Sequence, residues 1–301
     1  MDFLSKIQGY KEMFDDFINK MTHKKYYYMD NESFINILGE GLFNGQLNES
    51  TQIYWKEQLF RAHFVSVTSI LRNAEWINGM EFGVKDNNYL VFSASLRGLI
   101  ESVTDSYYSL EIVPTSLALN FNGIKKALEG NLNNRLVADE FERLMIHFEF
   151  ASKDEKAEDK KALSAGRYIA EFDEGNNVDS KSLFKVICQL AHPAAMSIRC
   201  FRQTVKESDI YEYSKTTFTK DKGNIEKLYE EYKEAIEMIL KFSLFLPILC
   251  LKVINLFEFK EIYCEYLDSC IASNIISNNA MEKINEMIKD SLNGSVDINK
   301  Y

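Results

Sequence analysis

Arg97, Glu101 and His192 are the polar residues whose types and setting could do chemistry in this 301-residue chain. Arg97 and Glu101 stand four positions apart, one helical turn, so their side chains can meet. They flank the boundary between an apolar stripe (Phe92, Leu96, Leu99, Val103) and a narrow face of Ser95, Ser102 and Asp105. His192 lies in the apolar run from Val186 to Met196, directly before Pro193. The proline removes a backbone donor and disfavours helix at His192, leaving the Gln189 carbonyl without its usual partner. Polar groups of this kind inside a core must be paired, or each costs about 1–3 kcal/mol. Two readings stay open. In one, Arg97 holds an anion, Glu101 orients it, and His192, titrating near neutrality, is a general acid/base. In the other, the three tie two central helices together as a structural network.

Other chemistry is poorly supported. The four histidines (His23, His63, His147, His192) form no short-spaced pair, so no metal site is expected. No phosphate loop, zinc helix, EF-hand or nucleophile elbow occurs, and no cofactor is expected. Gly39-Glu40-Gly41 reads as a plain loop rather than a nucleotide loop. His23-Lys24-Lys25-Tyr26-Tyr27-Tyr28 could stack on single-stranded nucleic acid, but Asp30 and Glu32 close behind favour a helix-end packing segment. The five cysteines (Cys188, Cys200, Cys250, Cys264, Cys270) contain no Cys-x-x-Cys and read as buried thiols in a reducing cytosol.

The elements that must position these residues are helical. Three prolines stand where average usage of about 5% would give roughly fifteen, which argues against turn-rich β folds. Apolar spacing predicts helices over 2–21, from a Ser50 cap to about Asn78, and from Asn87-Asn88 to before Pro114. A short helix lies within 22–50. Further helices run from a Thr115 or Ser116 cap to about Leu128, over 136–150, and from Asp179-Ser180 to Pro193. A long helix over 223–257 kinks at Pro247, and helices near 259–272 and 278–292 follow, the last stopped by Gly294. Residues 152–161, eight charges in ten, read as solvated loop within a charged loop region near 152–177. Residues 207–222 read as a short hairpin or ordered loop.

A net charge of −10 argues against a DNA-binding surface, since phosphate neutralisation by Lys and Arg supplies most of that affinity. The N-terminus has neither basic n-region nor apolar h-region, so no signal peptide is expected. The most apolar run, Phe242 to Leu251, is half the roughly 20 residues a membrane span needs. A cytoplasmic protein without membrane attachment is expected.

Two runs resemble a known family. Phe92-Ser93-Ala94-Ser95-Leu96-Arg97-Gly98-Leu99-Ile100-Glu101 resembles the Arg-x-x-x-Glu helix of an uncharacterised bacterial family of HEPN-like helical proteins. Leu183-Phe184-Lys185-Val186-Ile187-Cys188-Gln189-Leu190-Ala191-His192-Pro193 resembles its second mark, a helix ending in His-Pro. The resemblance implies an all-α antiparallel helical bundle over 50–260 with the two motif helices facing each other. It leaves 1–49 as an N-terminal helical extension and 261–301 as C-terminal helices and tail. HEPN ribonucleases of toxin and phage-defence systems work without metal, an Arg holding phosphate and a His, with four to six residues between the two, moving protons. In this chain no arginine stands five to seven positions before any histidine; Arg143–His147 is one residue too close, and Lys185 replaces arginine before His192.

The expected function is therefore a cytosolic helical interaction or sensing protein of bacterial defence or stress type. It would engage a protein partner or a second copy of itself, and 13% aromatic content suits such an interface. The alternative is a metal-independent HEPN-type ribonuclease using Arg97, Glu101 and His192. A nucleotide or other anion held at Arg97 without chemistry is the third reading.

Overall fold

Glycine placement explains how the central helices come together. α3 (Leu47–Lys85) and α4 (Tyr89–Leu110) are joined by a tight turn in which Asn87 takes a left-handed φ of 51°. Asn88 caps α4, its Oδ1 accepting from the Val91 N–H at 3.1 Å. A Cβ at Gly83 would stand 2.6 Å from the Phe92 backbone nitrogen, so only glycine permits this approach. Gly79 likewise faces Ser95, and Gly98 faces the ring of Trp76. Small residues at these points let two helices pack as an antiparallel hairpin.

The computed structural model describes residues 2–22, 25, 29–132, 136–154, 156, 161–191, 198, 201–204, 211–213 and 218–294. Among the described residues the fold is all-α apart from one small ribbon. Before the hairpin come α1 (Phe3–Lys20) and α2 (Asn31–Phe43). After it come α5 (Val113–Leu119), α6 (Phe121–Leu128), α7 (Asp139–Phe150), α8 (Ala165–Asn176) and α9 (Ser180–Ala191). Strands β1 (Arg202–Thr204) and β2 (Tyr211–Tyr213) pair antiparallel, Arg202 opposite Tyr213. α10 (Phe218–Glu231), α11 (Lys233–Asn255), two 3-10 turns (Leu267–Ser269 and Ile271–Ile275) and α12 (Asn278–Asn293) complete the chain.

The chain divides into two units, each assembled from separate stretches. The first comprises Met1–Ile18, Ser69–Tyr107 and Leu163–Leu244. In it α1 buries Phe3, Ile7, Phe14 and Phe17, and Phe3 stacks on Tyr229 with ring centroids 4.1 Å apart. Tyr107, Phe172 and Phe242 meet edge to face at 5.1–5.5 Å. A polar seam runs through this core: Asn73 donates to the Ser243 carbonyl at 2.9 Å and accepts from Ser102 Oγ, while Arg72 reaches Asp105 at 3.0 Å. Lys6 and Tyr229 both converge on Glu237.

The second unit comprises Asn19–Thr68, Tyr108–Ala162 and Phe245–Tyr301. Its centre is Trp55, fully buried, whose Nε1 donates to the Leu136 carbonyl at 3.1 Å. The rings of Tyr54 and Phe141 lie against it, and Phe34 stacks on Tyr54. α12 lies against α5 and α6, with the Asn122 N–H donating to Ser291 Oγ. Ser277 caps α12 and Gly294, with φ 68°, ends it.

Several expectations need correction. α3 begins at Leu47 and runs to Lys85, so Ser50 sits inside the first turns instead of capping them. Gly39-Glu40-Gly41 belongs to α2, not to a loop. The helix expected from Thr115 starts at Val113, Pro114 occupying the first turn where its missing N–H costs nothing, and breaks at Asn120. The charged loop does not extend to 177: residues 165–176 form α8, which buries Tyr168, Ile169 and Phe172 on one stripe. Strand pairing begins at Arg202, and residues from Phe218 onward are helical, so the hairpin lies earlier than 207–222. The long helix over 223–257 is instead α10 and α11, divided at Tyr232, and Pro247 stands within α11. Residues 259–272 are turns, because the Asn255 side chain clamps both the N–H and the carbonyl of Cys264 at 2.9 and 3.0 Å. Glu155, Ala157–Lys160, His23, Lys24 and Tyr26–Tyr28 lie outside the described residues.

Candidate functional site

α4 carries the first two site residues. Arg97 Nε donates to Glu101 Oε1 at 3.0 Å, joining the two across one turn as their spacing requires. Their side chains are 29% and 38% exposed, at the edge of the core. The Arg97 guanidinium also lies over the Phe184 ring of α9, 5.8 Å from its centroid. α4 and α9 therefore meet at this point.

α9 is oriented by two successive caps. Asp173, near the end of α8, accepts from the Ser180 and Lys181 N–H groups at 2.9 and 3.0 Å, and Asp179 accepts from the Ser182 N–H at 3.0 Å. These bonds hold the Asp179 carboxyl below its ordinary range, the Ser182 side chain and backbone contributing most. The α8–α9 turn thus fixes which face of α9 meets α4. That face is Phe184 and, one turn on, Cys188, whose thiol feels the charges of both Arg97 and Glu101. Burial raises the Cys188 pKa, with Arg97 acting in the opposite direction. His192, one further turn along the sequence, lies outside the described residues, as does Pro193.

Chemically, this arrangement is a cation neutralised by a carboxylate on its own helix and covered by an aromatic ring. Such a group fastens two helices, and an anion approaching Arg97 would compete with Glu101 for it. Among the described residues no group of three or more His, Cys, Asp or Glu is placed to hold a metal ion.

Sequence reading missed two other polar assemblies, both within the second unit. His63 Nε2 and Cys264 Sγ, each almost fully buried, stand 3.0 Å apart although 201 positions separate them. A buried pair without solvent access is a packing contact, and no sequence spacing could have announced it. The other assembly is Tyr54 of α3, whose hydroxyl is hydrogen-bonded with the Glu142 side chain and lines one cavity with Ser50, Thr51 and Asp139. Ser50 reads from sequence as a helix cap; Tyr54 and Glu142 carry no signal that separates them from ordinary helix positions. Among the described residues no disulfide joins Cys188, Cys250, Cys264 or Cys270. No helix among them is long and apolar enough to cross a membrane.

Comparison of the chain with protein-family models, with curated proteins and with solved structures finds no match.

Proposed function

We propose that this protein is a helical interaction and sensing module that associates with a second copy of itself or with a protein partner. The cytoplasmic setting and the bacterial defence or stress role belong to the same proposal and rest on the HEPN-like resemblance of the α4 and α9 sequences. The observation that carries the interaction reading is the exposed apolar side chain of Phe43 at the end of α2, 92% exposed, followed at the start of α3 by Leu47, also open to solvent. Exposed apolar side chains that adjoin one another mark interaction surfaces more than scattered ones do. The pairing of Arg97 with Glu101 and Phe184 supports a fastening role over a catalytic one.

Sedimentation velocity across a concentration series tests this. Wild type is expected to show a concentration-dependent larger species, and Phe43→Glu to remain monomeric with an unchanged circular dichroism spectrum. Monomeric wild type at every concentration, together with failure to retain any partner through the Phe43 surface, would remove the reading.

One observation favours the ribonuclease alternative: α9 sets Phe184 and Cys188 against the Arg97–Glu101 pair just before the sequence reaches His192. Incubation with RNA in EDTA separates the two. Intact RNA supports the interaction module; cleavage lost in His192→Ala and Arg97→Ala establishes the nuclease.

A further inference from the structure

α11 carries a proline where a helix tolerates one least. Pro247 stands in its interior and is buried, as are Leu246 before it and Ile248 after it. A proline has no N–H, so the carbonyl four residues earlier, that of Ser243, loses its helical donor, and the ring pushes that carbonyl off the helix axis. On an exposed helix water would bond the freed carbonyl. Ser243 is fully buried, and a buried carbonyl without a donor is destabilising. The Ser243 hydroxyl gives no help, because it donates to the Leu240 carbonyl at 2.6 Å.

Asn73 of α3 supplies the donor. Its Nδ2 reaches the Ser243 carbonyl at 2.9 Å, across 170 positions of sequence. Asn73 is itself fully buried, and asparagine is a weak former of helix interiors, so propensity does not account for its place in α3. The orientation of its carboxamide follows from its partners. A carbonyl only accepts, so the NH2 group faces Ser243, and the Asn73 oxygen accepts from Ser102 Oγ of α4. Ser102 is held in turn. Its carbonyl accepts from Ser106 Oγ at 2.8 Å and from Arg72 at 3.1 Å, and Arg72 is paired with Asp105 at the exposed end of the seam. Ser69 Oγ, 3.0 Å from Ser106 Oγ, ties the seam back to α3.

We propose that Asn73 stands in for the amide that Pro247 lacks, and that the two residues form a conformational lock. The proline makes a weak point in α11, and the carboxamide, oriented from α4, holds that point in one conformation. Without Asn73 the turn from Ser243 to Pro247 is short of a bond and α11 flexes there. With Asn73 the same carbonyl is bonded, and one side chain sets α3, α4 and α11 against one another. Loosening the seam at a residue that orients the carboxamide frees α11 at its proline before the whole chain unfolds. The inference goes beyond self-association and uses none of the residues invoked for nuclease chemistry.

The test is a double-mutant cycle on the full chain, read by urea midpoints, with native-state hydrogen exchange as the local readout. Asn73→Leu, close in volume and without a donor, should lower the midpoint when Pro247 is present. In the Pro247→Ala background the restored backbone amide bonds the Ser243 carbonyl, so the loss should shrink by about half or more, the remainder belonging to the Ser102 bond. Asn73→Leu should also speed exchange at residues 244–251 at least about tenfold more than in α4, and Pro247→Ala should reverse that excess. Ser102→Ala leaves the carboxamide in place and removes only the hydroxyl that orients it. It should repeat the pattern at smaller size, which keeps the cycle readable if Asn73→Leu does not fold. Equal losses in both backgrounds overturn the proposal, because Asn73 would then act the same whether or not the proline leaves a carbonyl to satisfy. Exchange that rises evenly over α4 and α11 overturns it too, since that marks a residue stabilising the fold at large and locking nothing.

Discussion

The two units bring their helices to close quarters in different ways: in the first, Gly83 of α3 lies against the α4 backbone at Phe92, and in the second, Gly41 of α2 lies against the Ser50 hydroxyl of α3. In the first, several polar groups are paired within the protein: Arg97 with Glu101 and the Phe184 ring, Arg72 with Asp105, Asn73 with Ser102 and Ser243, Lys6 and Tyr229 with Glu237. Ser93 and Ser180 in the first unit, and Ser50 and Gln58 in the second, bury side-chain polar atoms without a hydrogen-bond partner among the described residues. Paired groups act as fasteners. Unpaired ones destabilise the fold unless something else satisfies them, and the Arg97–Glu101 pair belongs with the fasteners.

Glycine contacts sharpen the same contrast and give the largest expected effect. Gly83 abuts the Phe92 backbone at 2.6–2.8 Å, which cannot move without parting α3 from α4. Gly83→Ala should destabilise the protein by about 2 kcal/mol even after the ~1 kcal/mol helix-propensity gain of alanine. Gly41→Ala meets only a hydroxyl rotor that holds no bond and can turn aside, so propensity and crowding should nearly cancel. Urea midpoints of the two variants check this; equal losses would mean that the Ser50 hydroxyl is as fixed as backbone.

Next in size is Arg97→Ala. The pair with Glu101 is partly exposed and contributes little by itself, but the contact with Phe184 adds to it, so a loss of about 1 kcal/mol is expected. A fastener shows this loss in the denaturation midpoint. If Arg97→Ala left stability untouched, Arg97 would not belong among the fasteners.

The Lys6–Tyr229–Glu237 group predicts a pH signature for that unit. Hydrogen bonds from Lys6 and then Tyr229 hold the Glu237 carboxyl below its ordinary 4.5, and the bond to Glu237 followed by Tyr229 holds Lys6 above its ordinary 10.5. The stability drawn from Glu237 is present above pH 4.5 and is lost as pH falls through its lowered value. That drawn from Lys6 is present below pH 10.5 and is lost as pH rises through its raised value. Glu237→Gln should therefore melt lower than wild type by a constant margin between those limits, and the margin should close on the acid side. Solvent screening keeps it under about 1 kcal/mol, since the Glu237 side chain is 39% exposed.

How much of this was legible in the sequence follows from the range of each interaction. The helical class came from scarce proline and apolar spacing, and α1, α4, α7 and α9 begin and end within three residues of their expected bounds. The Arg97–Glu101 contact is local, so four-residue spacing was enough to predict it. What failed was set by partners distant in sequence. α3 continues through Gly79 and Gly83 because α4 welcomes them, and 259–272 is not a helix because Asn255 captures the Cys264 backbone. Gly39-Glu40-Gly41 looked like a loop because glycine is a poor helix former, whereas Gly41 makes room for Ser50 nine positions later. The cavity joins residues near 35, 50 and 140, and no spacing rule spans such separations.

The smallest expected effect discriminates best between the two kinds of polar group. Ser50→Ala removes a hydroxyl that contributes no hydrogen bond within the described protein, at a position early in α3 where alanine is the stronger helix former. The variant should match wild type or exceed it by up to about 0.5 kcal/mol in the urea midpoint, whereas a paired serine such as Ser102 would lose about 1 kcal/mol on the same change. A loss of stability on Ser50→Ala would make Ser50 another fastener, its hydroxyl satisfied in solution.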